Sequence, residues 1–138
     1  MPAHTISVVI VDDQALQREG LRMVLESQND ITVVGEAADG AFALALLRTT
    51  AADVVLMDIR MPRVNGLTAT ERINSDAKVR ELGGPPRVVL LTALDLDDHV
   101  PAAARVGAYA ILYKDVPPPA LLEAIRGAAK QRPAQQRP

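Results

Sequence analysis

The chain has 138 residues, of which 49% are hydrophobic and 23% charged, a composition typical of one folded domain with its own core. Fifteen Lys and Arg against seventeen Asp and Glu give a net charge of -2, so no positive field favours DNA binding by this segment alone. Cysteine is absent, which excludes disulfides and thiolate metal sites.

No segment indicates a membrane or an export route. The longest apolar run, Ala41–Leu47, is too short to span a bilayer. The first residues, Met-Pro-Ala-His-Thr, lack the basic and apolar stretches of a signal peptide. We therefore expect a soluble cytoplasmic protein.

Five short runs rich in β-branched residues predict strands, and helical patterns lie between them. The runs are Ile6–Val11, Ile31–Val34, Asp53–Met57, Arg87–Leu91 and Tyr109–Tyr113. Several are almost wholly apolar, as expected when both faces of a parallel sheet are covered. Repeated strand and helix units imply right-handed crossovers, so we predict a doubly wound α/β fold with helices on both faces.

The remaining segments predict caps, a loop and a tail. Asp39 and the run Asp95–Asp98 offer helix N-caps, and Glu81–Pro86 predicts a loop. Pro101 is expected in the first turn of a helix that begins late, near Asp98, because proline deeper in a helix costs about 3 kcal/mol. We expect a domain over residues 5–130, with 131–138 as a Gln- and Pro-rich linker or tail.

Ligands of such folds bind beyond the carboxyl ends of the strands, where this sequence places polar residues. They are Asp12 and Asp13 after the first strand, Asp58 after the third, Thr92 after the fourth and Lys114 after the fifth. Two carboxylates about 4 Å apart repel each other by roughly 4 kcal/mol at an effective dielectric of about 20. Because Mg²⁺ prefers oxygen ligands and relieves that repulsion, the three aspartates predict an open Mg²⁺ site.

Lys114 has no use in metal binding alone, but it can stabilise a transferring phosphoryl group. Asp58 is then a candidate nucleophile that forms an aspartyl phosphate, and Thr92 a hydrogen-bond donor to a phosphoryl oxygen. Plainer interpretations exist for each residue. Asp13 could cap the following helix, and Lys114 could be a surface charge on an apolar stem. Their joint occurrence at strand ends favours the site.

Three further residues have structural interpretations. Gly66 is expected where a turn or a close approach needs glycine. His4 and His99 are predicted to be structural or surface residues rather than ligands or bases.

Five blocks of the sequence resemble, in order and at family spacing, the signature blocks of response-regulator receiver domains. They are Val9–Asp13, Leu56–Pro62, Asn65–Gly66, Leu91–Ala93 and Leu112–Asp115. Glu36–Gly40, and Asp115 after the lysine, resemble the NarL/FixJ subfamily, whose receiver precedes a LuxR-type helix-turn-helix. The likeness covers about residues 5 to 130.

The resemblance implies a CheY-like fold, strand order 2-1-3-4-5, in which a sensor histidine kinase or a small acyl phosphate phosphorylates Asp58. It adds the backbone carbonyl of Arg60 to the metal ligands and makes Thr92 and Lys114 the switch and phosphoryl-stabilising residues. Phosphotransfer and autodephosphorylation are then self-catalysed, so the chain is not expected to be an enzyme. The surface of the fourth helix, fifth strand and fifth helix rearranges, and homodimers form there or through the first and fifth helices.

One position departs from the family pattern. The aromatic switch residue expected three positions before the lysine is here Ile111. Strand alternation puts Tyr109 and Tyr113 on the face of Ile111. We hypothesise that Tyr113 partly replaces the missing aromatic; the alternative is a weaker coupling of phosphorylation to output.

Several functions remain open at this stage. DNA binding would need a C-terminal domain, and the residues after Arg126 are too few for a helix-turn-helix. The Gln-, Arg- and Pro-rich tail favours a receiver fragment of a transcription regulator that ends in its interdomain linker. The alternatives are a complete single-domain regulator that signals by docking, or a degenerate receiver. An aspartate-nucleophile phosphohydrolase is disfavoured because Arg60 stands where that family has a second aspartate.

Overall fold

Five parallel strands form the centre of the molecule. The computed structural model describes residues 5–131, and its strands are β1 (Ile6–Val11), β2 (Ile31–Ala37), β3 (Val54–Asp58), β4 (Arg87–Thr92) and β5 (Ala110–Tyr113). They lie in the order β2-β1-β3-β4-β5, and every neighbouring pair is parallel. The predicted fold class and strand order are confirmed.

Helices cover both faces of this sheet. Those of the described residues are α1 (Ala15–Glu26), α2 (Gly40–Leu47), α3 (Gly66–Ser75), α4 (Ala77–Glu81), α5 (Leu96–Arg105) and α6 (Pro118–Lys130). None of them is long and apolar enough to cross a membrane. The short helix α4 was not predicted, so the fourth and fifth helices of the sequence analysis are α5 and α6.

Side-chain alternation along the strands divides the core into two layers. Val9, Val11 and Met57 face one layer, which is completed by buried residues of α2, α3, α4 and α5. Val8, Ile10 and Leu56 face the other, against α1 and α6. Apolar side chains on both strand faces explain why these runs show no polar alternation.

Strand bounds differ from the predictions by one residue at β3, β4 and β5 and by more at β2, which continues to Ala37 rather than ending at Val34. Val8 of β1 pairs with Val33, and the next residue, Val9, pairs with Gly35. Val34 is therefore an unpaired extra residue at a β-bulge, and regular pairing continues after it. An extra residue of this kind cannot be recognised from apolar periodicity.

The predicted start of α5 is wrong. The helix begins at Leu96, after Asp95 in a left-handed conformation (φ 59°, ψ 40°), and Pro101 therefore lies in its second turn. Proline has no N–H to donate to the carbonyl of Asp97 four residues earlier. Both residues are exposed, so water can take the place of the missing donor.

The structure confirms one of two other predicted boundaries and corrects the second. Asp39 caps α2 as expected, its side chain accepting from Phe42 N at 2.8 Å. Glu81 is the last residue of α4 and does not open a loop. This short helix is capped at its start by Asp76, whose side chain accepts from Val79 N. The predicted tail and His4 lie outside the described residues, apart from Gln131.

The loop after β3 returns close to the strand end at Gly66. A Cβ atom there would lie 2.4 Å from the backbone oxygen of Asp58. We expect Gly66→Ala to lower the free energy of unfolding by about 2–3 kcal/mol, because the backbone must shift to admit the methyl group. Urea denaturation followed by circular dichroism measures this.

Gly20, in the middle of α1, is the matched control. A Cβ on it would meet no atom of the described residues within 4 Å. Gly20→Ala should therefore raise the free energy of unfolding by about 0.5–1 kcal/mol through the better helix propensity of alanine. Equal effects of the two substitutions would contradict the close approach at Gly66.

Candidate functional site

The predicted residues meet at the carboxyl edge of the sheet, where β1, β3, β4 and β5 end side by side. Asp12 follows β1, and its amide donates to Ala37 O at 3.1 Å. Asp58 and Thr92 are the last residues of β3 and β4. Lys114 follows β5, and its amide donates to Thr92 O at 2.8 Å. Backbone bonds of the sheet thus place all four residues.

Three carboxylates form one cluster. Asp12, Asp13 and Asp58 each offer an oxygen within 4.8 Å of the others. Asp12 and Asp58 are only 1% and 3% exposed, whereas Asp13 is exposed, so the cluster opens to solvent on the Asp13 side. Gln14 is the N-cap residue of α1, which removes the interpretation of Asp13 as a helix cap.

The donor set suits a hard divalent cation, because the cluster offers only oxygen atoms. Asp12 Oδ2 is buried and accepts no hydrogen bond from the described residues. Its cationic contact among the described residues is the ammonium of Lys114, which is shared with Asp58, so one positive charge serves two buried carboxylates. The three aspartates therefore fit Mg²⁺, with room for water or phosphate oxygens on the open side.

One ammonium lies between the two buried carboxylates. Lys114 Nζ is 3.0 Å from Asp58 Oδ2, in hydrogen-bonding geometry, and 3.0 Å from Asp12 Oδ2, as an ion pair. Burial opposes the charge of this lysine, but its contacts with Asp12 and Asp58 outweigh that effect and raise its pKa. Lys114 is therefore a fixed cation at the site.

The pKa of Asp58 is shifted in the opposite sense from most ion-paired carboxyls. Burial raises it, and the nearby charge of Asp12 adds to the rise, while Lys114 and the amide of Arg60 act against both. The net direction is upward. Without a further cation, the environment thus disfavours the ionised form of the candidate nucleophile.

Arg60 and Thr92 occupy the expected positions but make different contacts. Arg60 N donates to Asp58 Oδ1 at 3.3 Å; its carbonyl as a metal ligand stays a prediction. Thr92 is buried, and its hydroxyl donates to Leu94 O at 2.7 Å. The hydroxyl is thus engaged with the following loop rather than with the carboxylates.

The prediction for the residues around Ile111 is partly wrong. Ile111 packs on the core layer of α2 to α5, whereas Tyr109 packs on the layer of α1 and α6. β5 begins only at Ala110, so strand alternation does not extend to Tyr109. Tyr113 lies within β5, two residues after Ile111, is 44% exposed and pairs in register with Thr92.

A cavity of about 470 Å³ adjoins the cluster. Its lining includes Asp13, Arg60 and His99. His99 was predicted to be a structural or surface residue, and the structure places it in the lining of this cavity together with Asp13. The spacing of His99 from the aspartates along the chain carries no signal of this proximity, which depends on how α5 is oriented.

Known proteins match this chain over most of its length. A family model described as response regulator receiver domain matches residues 8–126. The transcriptional regulatory protein YxjL of Bacillus subtilis is 42% identical over 94% of this chain and 57% of its own. The nitrate/nitrite response regulator protein NarP of Escherichia coli is 39% identical over 94% of this chain and 58% of its own.

A solved structure agrees with these matches. The signal receiver domain of the response regulator NarL from Mycobacterium tuberculosis superposes with a TM-score of 0.82 at 36% identity. The match covers 94% of this chain and 99% of that domain. The chain therefore spans a little over half of the two full-length relatives and nearly all of an isolated receiver domain.

Proposed function

This chain belongs to the response regulator receiver family, and we propose that it accepts a phosphoryl group on Asp58 with the help of Mg²⁺. The observation that carries the proposal is the meeting of three carboxylates and one ammonium at the ends of adjacent strands. A purely structural ion pair would not need the third carboxylate, which is exposed.

Asp12, Asp13, Asp58 and the backbone carbonyl of Arg60 would hold the metal. When bound, Mg²⁺ supplies positive charge that neutralises phosphoryl oxygens and favours the ionised form of Asp58. Cation binding would thereby offset the burial that raises the pKa of Asp58. The site opens to solvent on the side of Asp13, which is exposed, so the phosphoryl donor would approach from that side.

In the transfer, an Asp58 carboxylate oxygen attacks the phosphorus of a phosphohistidine on a sensor histidine kinase, or of a small acyl phosphate. The new O–P bond forms as the bond to the leaving imidazole nitrogen or acyl oxygen breaks. Lys114 already contacts Asp58 and would pass to a phosphoryl oxygen, because a fixed ammonium stabilises that charge. Hydrolysis of the aspartyl phosphate on Asp58 would then restore the free carboxylate.

Thr92 would complete the site by turning its hydroxyl to the phosphoryl group. To do so it must give up the hydrogen bond to Leu94 O. Leu94 precedes Asp95, the left-handed N-cap residue of α5, so this exchange would free the segment that leads into α5. The surface of α5, β5 and α6 would change as a result.

Transcription regulation is the proposed output. The matched relatives are named as transcriptional or nitrate/nitrite response regulators, and this chain spans about 57% of YxjL and 58% of NarP. We propose that a C-terminal DNA-binding domain follows the receiver in the whole protein, and that the receiver controls homodimerisation. The pairing surface would be α5, β5 and α6, or α1 and α6.

Phosphorylation is tested by incubating the chain with Mg²⁺ and acetyl phosphate and measuring its intact mass. We expect the wild type to gain one phosphoryl group and Asp58→Asn to gain none, because asparagine has no ionised oxygen to attack phosphorus. Glu71→Gln, at an exposed position of α3, is the control for removal of a carboxylate and should gain mass like the wild type.

Each other outcome identifies an alternative. A wild type that gains no mass would indicate a degenerate receiver. An equal gain in Asp58→Asn would place the acceptor elsewhere. A phosphorylated native protein with no further domain would favour a single-domain regulator that signals by docking.

Tyr113 provides a second prediction, because it pairs with Thr92 across β4 and β5. If its ring partly replaces the switch aromatic, Tyr113→Leu should weaken phosphorylation-dependent dimerisation by about fivefold. Tyr113→Phe keeps the ring and should behave like the wild type. Analytical ultracentrifugation with and without acetyl phosphate measures both, and unchanged dimerisation of Tyr113→Leu would exclude the role.

A further inference from the structure

Three hydrogen bonds hold Asp12 in place, in addition to its ion pair with Lys114. Its amide donates to Ala37 O at 3.1 Å, and its Oδ1 accepts from Gln14 N at 2.9 Å. Its backbone oxygen accepts from Arg18 Nη1 at 2.6 Å. The first two contacts belong to the sheet and the turn, whereas the third comes from a side chain four residues into α1.

Arg18 is itself held in place by β2. Its Nε donates to Glu36 Oε1 at 3.1 Å, and Glu36 is fixed by the pairing of β2 with β1, opposite Ile10. The two side chains are 20% and 26% exposed, so water competes only weakly for these bonds. The guanidinium thus bridges the edge strand and the turn that carries the aspartates.

Glu36 stays ionised to support this bridge. Burial acts against its charge, but the hydrogen bonds from Arg22 and Arg18 outweigh burial and lower its pKa. Arg22 contacts Glu36 and also Glu26. The structure shows no contact of Arg22 with Asp12 among the described residues, which makes Arg22 a matched comparison for Arg18.

We infer that Arg18 is a positioning residue for the metal site, holding the Asp12 carbonyl so that the Asp12 and Asp13 carboxylates converge on Asp58. A guanidinium forms two directed bonds in a rigid fork, one to each neighbour. Outer-sphere hydrogen bonds of this kind orient metal ligands and affect metal affinity. The inference rests on the proposed function, because it assumes that the cluster binds Mg²⁺.

Arg18 could affect the Mg²⁺ affinity of the site through its charge or through its positioning of Asp12, and the two roles predict opposite effects of its removal. As a cation near a cation site, Arg18 repels Mg²⁺, so by charge alone its loss would strengthen binding. As a positioning residue, its loss lets the turn relax and weakens binding. A rise or a fall in Mg²⁺ affinity therefore distinguishes the charge effect from the positioning effect.

Isothermal titration of the whole chain with MgCl₂ tests the inference. We expect Arg18→Met to weaken Mg²⁺ binding by about tenfold, at the lower end for outer-sphere partners. Arg22→Met removes contacts with the same Glu36 and should stay within about twofold of the wild type. Thermal unfolding without metal reports the structural cost of each change, which we expect to be similar.

Unchanged or tighter Mg²⁺ binding by Arg18→Met would overturn the positioning role, as would an equal loss in Arg22→Met. If Arg18→Met does not fold, Arg18→Lys can be used in its place, because one ammonium cannot bridge the Asp12 carbonyl and the Glu36 carboxylate. Its expected loss of Mg²⁺ affinity is smaller than that of Arg18→Met, and wild-type affinity would overturn the role. A wild type that binds no Mg²⁺ would instead refute the proposed function itself, and this inference with it.

Discussion

The contact of one ammonium with two buried carboxylates is the interaction on which the rest of the site depends. Lys114 lies 3.0 Å from both Asp12 and Asp58, and Asp13 adds a third carboxylate nearby. When all are ionised, one positive charge faces three negative ones. This excess makes a bound cation favourable, and the burial of Asp58 raises its pKa in the cation's absence.

The fold holds these charges together against their repulsion. Apolar residues on both faces of β1 and β3 are almost fully buried, and this core fixes the strand ends that carry Asp12 and Asp58. Gly66 lets the following loop approach the backbone of Asp58. Arg18 ties the turn after β1 to β2. The position of the charges is therefore supported by packing and by hydrogen bonds remote from the cluster.

The predictable part of the structure came from short-range patterns. Apolar runs identified the five strands, and the rule that ligands lie beyond strand ends selected Asp12, Asp58, Thr92 and Lys114. Features that depend on local conformation were missed, namely the bulge at Val34 and the early start of α5 at Leu96. Side-chain contacts between elements were also missed: Arg18 contacts both Asp12 and Glu36, and the contact with Glu36 depends on how β2 lies beside β1, which no spacing along the chain indicates.

The most direct test of the charge excess is the pKa of the Asp58 carboxyl, measured by ¹³C NMR with and without Mg²⁺. Without metal, we predict a pKa above the ordinary aspartate value of about 3.9, because burial and Asp12 outweigh Lys114. Addition of Mg²⁺ should lower it. An ordinary or lower pKa without metal, or a pKa that does not respond to Mg²⁺, would contradict a cluster that needs a cation.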